Sequence, residues 1–182
     1  AGIVTQKCHD ADTYVLTYRV EVCADVHEQA CQTSWSRVDG SAEFAGPSAA
    51  DARDAYVFAW FVAPVEAQLV RLYPQSWYEK PSVRAGVVVY DRPPSPPPPP
   101  PSAPPPPPPP PPPYDSVTNP VDVRRKYSSV SGNSAIGTGN AQSMLGSVKA
   151  WLPSSFSTTQ WLQMDLGEAH SVAGIVTQKC HD

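Results

Sequence analysis

The chain has 182 residues, 13 basic and 17 acidic side chains, a net charge of −4 and 24 prolines. Its densest basic cluster is "RRK" at Arg124–Lys126, which argues against nucleic acid as the main partner. No apolar run approaches the ~18 residues of a membrane span, so no transmembrane helix is expected.

The first element is "AGIVTQKCHD" at residues 1–10, and the same ten letters stand at 173–182. The duplication predicts a segment of a tandem array with a period of 172 residues, Ala1 to Ala173, read in circular order. One period then holds three cysteines, Cys8, Cys23 and Cys31, with Cys180 the next copy of Cys8. An odd count leaves at least one thiol without an internal partner.

Strand-like runs follow in chain order: "GIVTQ" (2–6), "TYVLTYRVEV" (13–22), "AYVFAWFV" (55–62), "AQLVRLYP" (67–74) and "VRAGVVVYD" (83–91). They are rich in β-branched and aromatic residues and are separated by Gly, Pro, Asp and Ser. Residues 114–182 add "SVKAWLP", "TTQWLQMDLG" and "HSVAGIVTQ". No long 3.6-residue amphipathic pattern occurs, so the chain reads as all-β, a sandwich or small barrel.

Between the two flanks lies "PPSPPPPPPSAPPPPPPPPPP", residues 93–113. Proline fixes φ and lacks the backbone N–H, so this segment enters neither helix nor sheet. Polyproline II at ~3.1 Å per residue would make it a rod of ~65 Å. The expected division is 1–92 as the C-terminal part of one domain, 93–113 as spacer, and 114–182 as the N-terminal part of the next. In circular order the domain runs 114–182 and then 11–90, 149 residues, enough to bury a core.

In that order the sequence resembles the discoidin domain, the C-type module of coagulation factors. The motifs are "WLQMDLG" (Trp161–Gly167), "AGIVTQ" (Ala173–Gln178, equally Ala1–Gln6), "YVLTYRVEV" with Trp35, and "RLYPQSW" (Arg71–Trp77). The resemblance implies a jelly-roll β-sandwich with neighbouring termini, which is not an enzyme and binds carbohydrate, phospholipid or protein through loops at one end. Those loops would be Val130–Gly139 with Ile136, Pro153–Thr159 with Phe156, and Lys7–Asp12 with Lys7, His9 and Asp10. Only Ile136 and Phe156 are large and apolar, so membrane insertion is not expected. No cofactor is called for, and "FAGPSAAD" (Phe44–Asp51) leaves calcium open, because proline replaces the Asn expected in calcium-holding relatives.

No cysteine lies near Asp115 or Tyr90 to join the domain ends as in many relatives. Cys23 and Cys31 instead bracket a loop just after a strand and are expected to bridge. Cys8 should sit at the far end of the ~30 Å strand ending at Cys23, buried or available to another subunit.

"SPPPPPP" at Ser95–Pro101 resembles the Ser-Pro runs of extensins and other hydroxyproline-rich wall glycoproteins. The resemblance implies hydroxylation and O-glycosylation, with arabinose on proline and galactose on serine. The positions are Pro93, Pro94, Ser95, Pro96, Pro97, Pro98, Pro99, Pro100, Pro101, Ser102, Pro104, Pro105, Pro106, Pro107, Pro108, Pro109, Pro110, Pro111, Pro112 and Pro113. No N-x-S/T sequon is present.

Other signals read as bland. "CHD" at 8–10 has its members adjacent, whereas a triad or metal set draws them from separate places. "GTGNAQ" (137–142) lacks the third glycine of a nucleotide loop, and His27 and His170 stand alone. Trp35, Trp77, Trp151 and Trp161 are expected in the core; Trp60, outside the family motifs, is either core or an interface contact. The combined expectation is a structural, non-enzymatic subunit of an extracellular filament, in a cell wall or on a flagellar surface such as a flagellar hair. Its partners would be copies of itself, its own glycans and other wall or flagellar-hair glycoproteins. The alternative is a multivalent carbohydrate-binding adhesin, gaining avidity from spacing.

Overall fold

The computed structural model describes residues 13–24, 31, 34–52, 55–90 and 116–179. Lys7, Cys8, His9, Asp10, His27, Tyr114, Cys180 and the whole proline-rich segment 93–113 lie outside the described residues. Eight strands occur in chain order: β1 (Tyr14–Cys23), β2 (Ser36–Arg37), β3 (Phe44–Ala45), β4 (Tyr56–Tyr78), β5 (Arg84–Val89), β6 (Ser116–Thr118), β7 (Arg125–Tyr127) and β8 (Leu162–Gln178). The fold is all-β, a single sheet in the order β2-β1-β4-β8-β5-β6, with β3 beside β1 and β7 beside β8. Every pairing is antiparallel.

Period-two alternation explains β1, but with one slip. Val15, Tyr18, Val20 and Val22 face inward, with two residues rather than one between the first two. The register shifts between Val15 and Tyr18, and this bulge keeps both side chains on the core side.

The expected strands at 55–62 and 67–74 are one strand, β4, rather than two. Pro64 cannot donate to a ladder, so pairing with β8 skips from Trp60 to Val65 while the chain stays extended. The expected strands around "TTQWLQMDLG" and "HSVAGIVTQ" likewise merge into β8. There the ladder jumps from Leu69↔Asp165 to Ala67↔His170, so Leu166–Ala169 bulge outward opposite Gln68. Gly167 takes a φ of +92°, and its N–H donates to Asp165 Oδ1 at 2.8 Å. "SVKAWLP" forms no strand and meets the sheet through the Val83↔Trp151 bridge and a bond from Arg84 Nη1 to the Ser147 carbonyl at 2.8 Å.

Both flanks of the proline segment contribute to one core. Val15, Tyr18, Val20, Leu72 and Val87 from residues 13–90 pack with Trp151, Leu162, Met164 and Ile175 from residues 116–179. The second decapeptide copy supplies the centre of this joint. Ile175 pairs with Ala59 on one side and Val87 on the other, and Thr177 with Val57 and Ala85. Gly174 is required there, because a Cβ would lie 2.5 Å from the Ala59 carbonyl oxygen.

Candidate functional site

The two expected contact loops that are described are tied through the residues at their ends. Ser131 N–H donates to the Leu152 carbonyl at 2.9 Å, Leu152 N–H to the Asn140 carbonyl at 3.1 Å, and Asn140 Nδ2 to the Ser131 carbonyl at 3.0 Å. Ser129 Oγ adds a bond to Gln160 Oε1 at 2.6 Å. Ile136 and Phe156 are 51% and 50% exposed on this pair of loops. Phe156 meets the Trp77 ring edge-on at 6.5 Å.

Of the third loop, only its beginning in the second copy is described. Lys179 is buried, with Nζ 2.7 Å from the Asp51 carbonyl, 3.5 Å from the Ala49 carbonyl and 4.9 Å from the Tyr14 ring centroid. This also answers what "FAGPSAAD" does. Phe44 turns into the core, while Asp51 Oδ2 accepts from Ser48 N–H at 2.6 Å and Ser48 Oγ at 2.7 Å. Those bonds, and more weakly the Lys179 charge, hold the Asp51 carboxyl below its ordinary value. A lysine ammonium takes the carbonyl oxygens at this turn. Among the described residues no three His, Cys, Asp or Glu gather at metal-binding spacing.

Trp60 lies in an exposed aromatic row. Tyr56, Phe58, Trp60 and Val62 alternate along β4 on the outer face, whereas Phe61 points inward against Phe44 at 5.3 Å. Phe58 and Trp60 stack at 5.8 Å with 10° between their planes. The period-two pattern in "YVFAWFV" carries this signal for Tyr56, Phe58 and Trp60 alike.

The tryptophan expectation needs correction. Trp151 alone of the four is fully buried, stacked on Tyr127 at 5.7 Å and donating Nε1–H to the Ser129 carbonyl at 2.8 Å. Trp35 and Trp161 are half-buried and flank the Arg71 guanidinium at 3.9 and 4.2 Å, and Arg71 Nε donates to Gln163 Oε1 at 3.0 Å. A guanidinium between two indole faces gains cation–π attraction, so these rings clasp the surface of β4 and β8 instead of filling the core.

Arg125, the middle residue of "RRK", is fully buried and donates five hydrogen bonds, to the Pro120, Ala85 and Ser143 carbonyls, Ser143 Oγ and Asn119 Oδ1, at 2.7–3.1 Å. Burial draws its pKa down to about 10. Because Ala85 lies before the spacer and the other partners after it, Arg125 ties the two flanks together.

Cys23 and Cys31 form the expected disulfide, closing a loop of sequence separation 8. With Leu69 and the half-buried Trp35 they make a small second cluster. The described residues include no helix long and apolar enough to cross a membrane. Compared with known protein families, curated proteins and solved structures, the chain matches none.

Proposed function

We propose that the chain is a structural subunit of an extracellular glycoprotein fibre, in which tandem discoidin-like jelly-roll domains are spaced by glycosylated polyproline II rods. The observation that carries this reading is the pairing of Val89 with Ser116. These residues flank the proline segment, and their strands are neighbours at ~4.8 Å spacing. A rod that leaves a domain beside the point where another rod enters makes the domain a bead at the side of the axis. The rods then set most of the axial repeat, roughly 65 Å plus one crossing of the bead.

The Cys23–Cys31 disulfide supports an oxidising compartment, since such bridges are rare in reducing cytosol. The exposed Tyr56–Phe58–Trp60 row favours the second reading, an adhesin, because aromatic faces stack on sugar rings.

Mass spectrometry of the native peptide spanning residues 92–114 tests the proposal. Increments of about one oxygen per proline, with pentose ladders above them, are the expected result. Unmodified proline throughout would reject the glycan-sheathed rod and leave the adhesin as the better reading.

A further inference from the structure

The outer face of the sheet carries an ordered row of charge. Register places Arg37 of β2 opposite Glu21 of β1, Glu21 opposite Arg71 of β4, Arg71 opposite Gln163 of β8, and Gln163 opposite Lys126 of β7. Residues directly opposite share a face, and their strand neighbours Val20, Val22, Val70, Leu72, Leu162 and Met164 fill the core on the other side. Strands lie ~4.8 Å apart, so the cations Arg37, Arg71 and Lys126 recur on every second strand, about 10 Å from one to the next.

Glu21 balances this row only in part. Its Oε1 lies 3.5 Å from Arg19 Nη2 and 3.6 Å from Arg37 Nε, so one carboxylate oxygen faces two guanidinium groups. Two other carboxylates near the row are engaged elsewhere: Glu43 accepts from Thr17 Oγ1 at 2.8 Å, and Asp165 from Gly167 N–H at 2.8 Å. The row is therefore cationic in a chain whose net charge is −4.

Aromatic planes hold the middle of the row in place. Trp35 and Trp161 clasp the Arg71 guanidinium, and the Arg19 guanidinium lies 4.2 Å from the Tyr73 ring centroid. Trp35 is itself pinned by its packing against Leu69 and the Cys23–Cys31 bridge. A guanidinium fixed in this way loses little freedom on meeting a carboxylate, and its planar fork matches two oxygens at once. Both indoles are half-buried, so each also offers apolar surface beside the charge.

We infer that this row binds an acidic polysaccharide laid across the strands, its carboxylates on Arg37, Arg71 and Lys126 and its sugar rings against Trp35 and Trp161. Charge spacing selects this class of polyanion. A nucleic-acid strand carries a charge about every 3.4 Å along its axis. An extended acidic peptide sets same-face carboxylates ~6.6 Å apart. Both are denser than the row, whereas a polysaccharide whose charged sugar alternates with a neutral one keeps a whole ring between successive charges. The inference uses neither the glycosylated rod nor the Tyr56–Phe58–Trp60 row, so it stands or fails apart from both readings of function.

The test is calorimetric titration of the 182-residue chain, at low salt, with a hyaluronan fragment long enough to cross from β2 to β7. In that polymer glucuronate alternates with a neutral N-acetylated sugar. An uncharged chitin fragment of equal length, single-stranded DNA and poly-glutamate are the comparisons. Hyaluronan should bind, more weakly as salt rises to ~0.15 M, and chitin should not. Arg37 and Lys126 are exposed, so their removal should leave the fold intact, which a thermal melt checks. Arg37→Ala and Lys126→Ala should each weaken binding about fivefold, the upper end for an exposed ion pair. The double variant should lose about the product, ~25-fold, because the two sites are far apart. Lys149→Ala, which removes a charge outside the row, should leave affinity unchanged. Absence of hyaluronan binding at low salt overturns the inference, as does equal affinity for chitin or tighter binding of DNA or poly-glutamate. So does an unchanged affinity in the double variant, or a Lys149→Ala loss as large as those in the row.

Discussion

Lys179, the residue after β8, lies with its ammonium 4.9 Å from the ring centroid of Tyr14, the first residue of β1. Around it Thr13 Oγ1 meets Ser82 Oγ at 2.9 Å, Val15 N–H donates to the Ser82 carbonyl at 3.1 Å, and Arg84 pairs with Gln178. The end of one flank thus lies beside the start of the other. Only "CHDAD" would be needed to join them, Cys180–Asp182 followed by Ala11–Asp12 in the order of the repeat.

A permuted chain running 114–182 and then 11–92 should therefore fold as a monomer with a cooperative thermal transition at or above that of the native order. It replaces a poor connection by a short loop, and shorter loops cost less closure entropy. Circular dichroism melts of the two proteins make the comparison. A permuted chain without a cooperative transition would reject the decapeptide as an internal strand.

The decapeptide itself offers a second prediction. Gly174 has the Ala59 carbonyl oxygen 2.5 Å from where a Cβ would lie, a contact with backbone that cannot move aside. In the 182-residue chain Gly174→Ala should cost roughly 1–3 kcal/mol, the usual range for overpacking. Gly2→Ala, the same change in the first copy, should stay within about 0.5 kcal/mol. Urea melts of both variants would decide which copy fills the sheet. Equal losses would mean that the two copies share it.

How far the sequence could be read depends on the range of the forces involved. Alternation and β-branched content mark β1, β5 and much of β4 and β8, because a strand's two faces are written in neighbouring residues. Pro64 and Gly167 look like breaks in the sequence, yet the strands continue past them. A bulge lets the chain stay extended while the ladder skips, and only the partner strand reveals it. The disulfide was legible because both cysteines sit near one strand end. Trp35 and Trp161 were not, since whether an indole fills the core or clasps Arg71 depends on residues far along the chain. Arg125 was the least legible, because its partners are mainly carbonyls of loops that carry no side-chain signature.

Arg125 supplies the third prediction. Replacing it with Met removes five donors while keeping much of the volume, leaving the Pro120, Ala85 and Ser143 carbonyls buried without that partner. A buried acceptor left unmet costs about 1–3 kcal/mol, partly offset because the charge no longer has to be desolvated. The net loss should be about 3 kcal/mol in a denaturant melt. Arg125→Lys should recover little, since an ammonium cannot match the planar fork that reaches these acceptors. Full recovery by lysine would show that charge, and not the five-bond geometry, is what the site needs.

Alkaline titration gives the last prediction. Burial raises the phenol of Tyr18 far above its ordinary 10.0, and burial also leads the upward shifts of Tyr73 and Tyr127. An unfolded tyrosine gives up its proton near 10.0, whereas the folded one retains it. Above that pH the folded state binds more protons than the unfolded one, so stability must fall as pH rises. The contribution is fully present below 10.0 and is lost progressively as pH climbs toward the folded values. Arg125 works in the opposite sense, because its folded pKa of about 10 lies below the ordinary guanidinium value and favours the folded state as pH rises between them. Three tyrosines against one arginine leave a net loss. The thermal midpoint should hold steady up to about pH 9 and fall steeply beyond 10, with phenolate absorbance appearing together with unfolding. Tyr18→Phe should make that fall shallower. If its slope matched the native one, the Tyr18 hydroxyl would have to ionise without disturbing the sheet.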